Sequence, residues 1–134
     1  MAEDARNRGR GRADPSLESS PSVAAMEEEI AREILAIQLD SYGSGAASVR
    51  AHLLDDLVVV VLNGLELQPN EEFMVAKGQG SAVITLRSEF QQAIGASFKA
   101  VIERSTGRRV VGFVSQQQVH EPRFAVEIFR LAAT

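Results

Sequence analysis

Apolar side chains recur along this chain at two spacings, and the switches between them predict its elements. Met26, Ile30, Ile34 and Ile37 fall at helical spacing, and Leu35 and Leu39 widen the stripe. Ser22 is a suitable cap, and Glu27, Glu28 and Glu29 fall in the first turns, where the helix dipole favours negative charge. The pattern stops at Ser41-Tyr42-Gly43-Ser44-Gly45, which predicts a chain reversal. From Ser48 to Leu54 the period becomes two, with Val49, Ala51 and Leu53 on one face and Arg50 and His52 on the other, as in a half-buried strand. Asp55-Asp56 then turns the chain into Leu57-Val58-Val59-Val60-Val61-Leu62, a β-branched run apolar on both faces that suits a covered central strand.

Asn63-Gly64 ends this hairpin. Gln68-Pro69-Asn70-Glu71-Glu72 opens a short helix, with Pro at its first position and acids behind it, ending by Gly78 or Gly80. From Ser81 to about Ser105 the stripe Val83, Leu86, Phe90, Ile94, Phe98, Val101 and Ile102 predicts one long helix, weakened at Gly95 by about 1 kcal/mol against Ala. Thr106-Gly107-Arg108-Arg109 leads into a strand over Val110 to Val114. The last strand, Phe124 to Leu131, sets Phe124, Val126 and Ile128 opposite Ala125, Glu127 and Phe129. Between them Gln116 to Arg123 is polar, contains Pro122 and reads as a long hairpin loop. The order αββααββ resembles a loose duplication of a helix-plus-hairpin unit. Each hairpin has an apolar face to bury, so the predicted class is α+β: a four-stranded antiparallel sheet of two β-hairpins, packed on one face by two long helices plus one short helix. Strand order stays open.

The 134 residues, 45% hydrophobic, suffice for one core, and a single Tyr, no Trp and six Phe make that core mainly aliphatic. Residues 1–24 are rich in Arg, Gly, Ser and Pro and too poor in apolar side chains to offset the entropy of ordering, so a disordered arm is expected there, followed by a single domain over 25–134. The net charge of −4 argues against a folded surface devoted to nucleic acid. The arm's basic cluster of Arg6, Arg8, Arg10 and Arg12 is balanced by Glu3, Asp4, Asp14 and Glu18; it offers a second route to RNA or anionic surfaces, although a solubilising tail is the stronger reading. Cys is absent, which removes disulfides, thiolate metal sites and thiol nucleophiles. The longest apolar run is far below the ~18 residues a membrane span needs, and no apolar leader opens the chain, so a cytoplasmic protein, at most peripheral to a membrane, is expected.

No phosphate-binding loop, nucleophile elbow, His/Cys metal spacing or Ser/His/Asp order is present, so the expectation is a protein without catalytic residues, cofactor or metal. Asp55 and Asp56 are adjacent carboxylates, but in a hairpin turn such residues point apart and cap backbone N–H groups. Arg50 and His52 share a strand face and are candidate interface residues, with a solvated face as the plainer reading. Arg108 and Arg109 follow a helix C-terminus, where positive charge complements the dipole; with Arg87 they form a candidate small-anion site. His120 has no companion ligands, and Gly78-Gln79-Gly80 is a weak anion signal.

Several linked motifs carry a family resemblance over about Met26 to Leu131. They are Val49-Arg50-Ala51-His52, Asp55-Asp56 with the valine run, Gly64, Leu67-Gln68-Pro69-Asn70-Glu71, Gly78-Gln79-Gly80, Arg87, Phe90, and Thr106 through Ser115. In their order and approximate spacing the chain resembles the MpsC-type domain family, labelled after a sodium-translocating, membrane-potential-generating system. It departs in having Gln68 where Thr is usual, Tyr42-Gly43-Ser44-Gly45-Ala46 at the first turn, and Gln116-Gln117-Gln118 after Ser115 where an Asp is common. The resemblance implies a non-catalytic accessory domain beside a sodium-linked ion or inorganic-carbon transport system. The expected partners are membrane transport subunits and a second copy of the chain, with no nucleic acid.

Overall fold

Backbone pairing and one-sided burial place the valine run at the centre of the molecule. The computed structural model describes residues 22–133 and runs α1 (Val23–Tyr42), β1 (Ala46–Leu54), β2 (Leu57–Leu65), α2 (Pro69–Ala76), α3 (Gly80–Ala93), α4 (Gly95–Thr106), β3 (Val110–Gln118) and β4 (Phe124–Leu131). The arm expected over 1–24 and its arginine cluster lie almost wholly outside the described residues; Ser22 already caps α1, accepting the Ala25 N–H at 3.0 Å. Because α1 begins at Val23, the three Glu residues fall beyond its first turn. Glu27 instead accepts the Leu53 N–H of β1 at 2.8 Å, satisfying a donor on the outer edge of that strand.

All pairings are antiparallel, and the strand order is β1-β2-β4-β3, so the second strand of each hairpin lies inside. Side chains directly opposite one another form rows across the sheet. Towards the helices these rows read Leu53–Val58–Phe129–Phe113, Ala51–Val60–Glu127–Ser115 and Val49–Leu62–Ala125–Gln117. Ile30 and Ile34 of α1 and Phe98, Val101 and Ile102 of α4 join this face in the core. Phe113 stacks on Phe129 at 5.0 Å between ring centres and meets the edge of Phe98 at 6.3 Å.

Two expectations need correction. The single long helix over Ser81 to about Ser105 is two helices, broken at Ile94 (φ −92°, ψ 4°) beside the expected weak point. Gly95 sits so close to the sheet that an added Cβ would lie 3.2 Å from Phe113 Cε2, so the chain bends where it has no side chain and settles α4 onto the core. The loop expected over Gln116 to Arg123 is shorter, because Gln116, Gln117 and Gln118 extend β3 opposite Val126, Ala125 and Phe124. Ladder hydrogen bonds satisfy their backbone whatever the polarity of the side chains. The remaining turn is pinned by buried Val119, whose carbonyl accepts from Arg123 Nε at 2.7 Å. Among the described residues, no helix is long and apolar enough to cross a membrane.

Candidate functional site

The sheet face turned away from the helices presents a mixed apolar and polar surface. Its rows read His52–Val59–Ile128–Val114, Arg50–Val61–Val126–Gln116 and Ser48–Asn63–Phe124–Gln118. Val59, Val61, Phe124, Val126 and Ile128 are only half-buried, while Val114 is 50% and the nearby Leu54 56% exposed. Among the described residues no element packs on this face. It therefore has an apolar centre, a β1 margin that carries His52 and is made cationic by Arg50, and a glutamine margin on β3. On the outer side of β1, a shallow groove of about 370 Å³ runs between Glu27, Glu28 and Ala31 of α1 and the backbone around Arg50 and His52.

The expected anion cluster is not assembled, since its arginines serve two separate structural knots. Arg87, on the buried side of α3, forks onto Glu71 through Nε (3.0 Å) and Nη2 (2.9 Å), and Nη2 also donates to the Glu66 carbonyl at 3.1 Å. Its guanidinium lies 4.5 Å from the centre of the Tyr42 ring, whose hydroxyl donates to Glu71 Oε2. Burial opposes ionisation of Glu71, yet hydrogen bonds from Arg87, Tyr42 and the Gln68 N–H hold its carboxyl below the usual range. Burial and the Glu71 carboxylate push the Tyr42 hydroxyl up to about 12. This fork ties α1, α2 and α3 together and commits Arg87 Nε and Nη2.

Arg108 forms the second knot. Nη2 donates to Asp56 Oδ1 at 2.6 Å and to the Ala132 carbonyl at 2.7 Å, and Nη1 donates to the Asp55 carbonyl at 3.2 Å, clamping the first hairpin turn to the end of β4. The Arg108 hydrogen bond lowers the Asp56 pKa. Asp55 takes the left-handed turn conformation at φ 52°, which Asp tolerates through its short polar side chain. Arg109 is exposed, and its carbonyl accepts the Ala132 N–H at 2.8 Å.

Glu127 escaped the sequence reading as a site residue. It occupies the middle of inner strand β4, 0% exposed, and counted from the start of its strand it holds the place of Val60 in β2, directly opposite. Ser115 from β3 and Gln91 from α3 face it, both buried, but neither closes a hydrogen bond of normal geometry, leaving both carboxyl oxygens and Ser115 Oγ without partners. Burial pushes the Glu127 carboxyl up to about 7, against the opposing pull of Ser115 and Gln91. The available signal was a lone carboxylate between Ala125 and Phe129; alternation alone could not say that this side of β4 faces the helices. Among the described residues no three His, Cys, Asp or Glu side chains gather as metal ligands.

The chain has recognisable kin. The uncharacterized protein YbcI of Bacillus subtilis (strain 168) is 31% identical over 93 residues, which are 69% of this chain and 74% of that protein. No solved structure matches. The model of a family described as the Na+-translocating membrane potential-generating system (MpsC) matches residues 22–133, the whole of the described α+β domain, and the chain belongs to that family.

Proposed function

We propose that this domain is a non-catalytic interaction module that works beside a sodium-linked membrane transport system, on the cytoplasmic side, with the open sheet face as its contact surface. The observation that carries the reading is the apolar centre on that face, where two inner strands present Val59, Val61, Val126 and Ile128 side by side without a covering element among the described residues. A surface of this kind is costly to leave wet and is typical of a binding patch. Arg50 and His52 border it, and Arg130 lies on the same side of β4, so a partner with an apolar ridge and acidic flanks would complement it. The family description supports placing that partner in a sodium-translocating membrane system.

Self-association through the same face is the second reading. The cationic β1 margin and the uncharged Gln116 and Gln118 margin allow two copies to meet with charge over amide rather than charge over charge. The test is a pull-down from native membranes with wild-type protein and a Val61→Lys/Ile128→Lys variant, with light-scattering mass measured in parallel. Transport subunits recovered by the wild type and lost by the variant are expected. Recovery of no transport subunit, with the protein wholly soluble at low salt, would overturn the leading reading, and a dimeric mass in the wild type alone would favour the second.

A further inference from the structure

We propose that Glu127, Ser115 and Gln91 form a buried binding site for a sodium ion between α3 and the sheet. The site is independent of the open face, which lies on the other side of the same strands.

The argument begins with unmet polar groups. Glu127 Oε1 and Oε2 and Ser115 Oγ are buried without hydrogen-bond partners. Native interiors pair almost all such atoms, so several unpaired ones at one place point to a bound species. The described residues supply no counter-charge there. Arg87 lies one helical turn from Gln91 on α3, but its guanidinium is committed to Glu71 and to the Glu66 carbonyl. A carboxylate in such surroundings requires an external positive charge or a proton.

The chemistry of the donors defines the ion. Glu127 contributes one negative charge, so a singly charged ion neutralises the site, whereas a divalent ion would leave a positive charge buried among Val60, Ala125 and Phe129. The carboxylate, the hydroxyl and, with its amide turned oxygen-inward, the carboxamide of Gln91 offer oxygen, a hard donor set that suits alkali-metal ions and gives nothing to soft metals. Among the alkali ions, sodium is the one that the family description names, and its choice over potassium rests on that description. Pairing of Ser115 with Glu127 across β3 and β4 fixes two of the ligands, and Gln91 brings the third from α3, so occupancy fastens that helix to the sheet.

Thermal unfolding of the full chain in mildly alkaline buffer, with sodium, potassium or choline chloride at equal ionic strength, tests the assignment. Sodium should raise Tm saturably by several degrees, potassium less and choline not at all. Ser115→Ala should weaken the apparent sodium affinity about tenfold, and Glu127→Gln should abolish the response. If Glu127→Gln does not fold, the Glu127 carboxyl and Ser115 resonances of the wild type read the same sodium titration by NMR. Equal Tm in the three salts together with unmoved resonances would overturn the proposal and assign a proton alone to the site. This readout uses no membrane partner, so its failure would not touch the interaction reading, and loss of membrane capture would not touch the ion site.

Discussion

Arg87 and Glu71 are each 2% exposed and each supplies the other's counter-charge in the interior. Removing one partner strands the other's charge, so Arg87→Met should cost about 3–5 kcal/mol in urea unfolding, and a second change, Glu71→Met, should recover most of that loss. Protonation equilibria act in opposite directions at different residues. Glu71 and Asp56 are depressed below their ordinary 4.5 and 3.8, so the stability they contribute is present above those values and is lost as pH falls through the folded ones. Glu127 is raised from 4.5 to about 7, so the folded state holds its proton more tightly, and the resulting advantage is complete below 4.5 and gone once pH has risen through about 7. In sodium-free buffer, unfolding free energies measured across pH should therefore fall at both ends. Glu127→Gln should flatten the alkaline limb, whose height is roughly 3 kcal/mol, and leave the acid limb in place.

At the level of elements, small residues decide where regular structure stops. Near the end of β2, Gly64 stands at φ 63°, and a Cβ there would lie 2.9 Å from Ala47 Cβ on the neighbouring strand. Its N–H donates to the Arg123 carbonyl at 2.9 Å, so the bend also tethers the loop before β4. Gly64→Ala should destabilise by about 1–3 kcal/mol in thermal or urea unfolding. Adding Ala47→Gly should return the steric part and leave the backbone strain. The break between α3 and α4 follows the same logic, since Gly95 allows the close approach to Phe113 that a continuous helix would forfeit. Periodicity located the apolar stripe through this region correctly, but it could not register the bend, because residues on both sides keep the helical spacing.

For the whole molecule, the consequence of the fold is an asymmetric sheet, sealed by helices on one side and, among the described residues, open on the other. Val61→Lys/Ile128→Lys changes half-buried positions on the open side, so it should leave the circular dichroism spectrum unchanged and shift stability by only about 1 kcal/mol, while abolishing association. A loss of folded structure in this variant would mean that the face is part of the core instead.

Local pattern was enough to determine the succession of helices and strands apart from the break at Ile94, the hairpin turn at Asp55-Asp56, the short helix behind Pro69 and the inner position of the valine run, because each depends on neighbours a few residues apart. Kinship was legible too, in motifs spread over most of the domain. The tertiary structure alone decided the strand order and which side of β4 met the helices, since both alternating sets of that strand are largely apolar and either would satisfy a period of two. That choice exposed Val126 and Ile128 and buried Glu127. It also separated Arg87 from Arg108, which look alike as exposed arginines in a sequence but answer to different carboxylates in the fold. Their partners, Glu71 and Asp56, lie 16 and 52 residues away, a distance across which side-chain type gives no account of position.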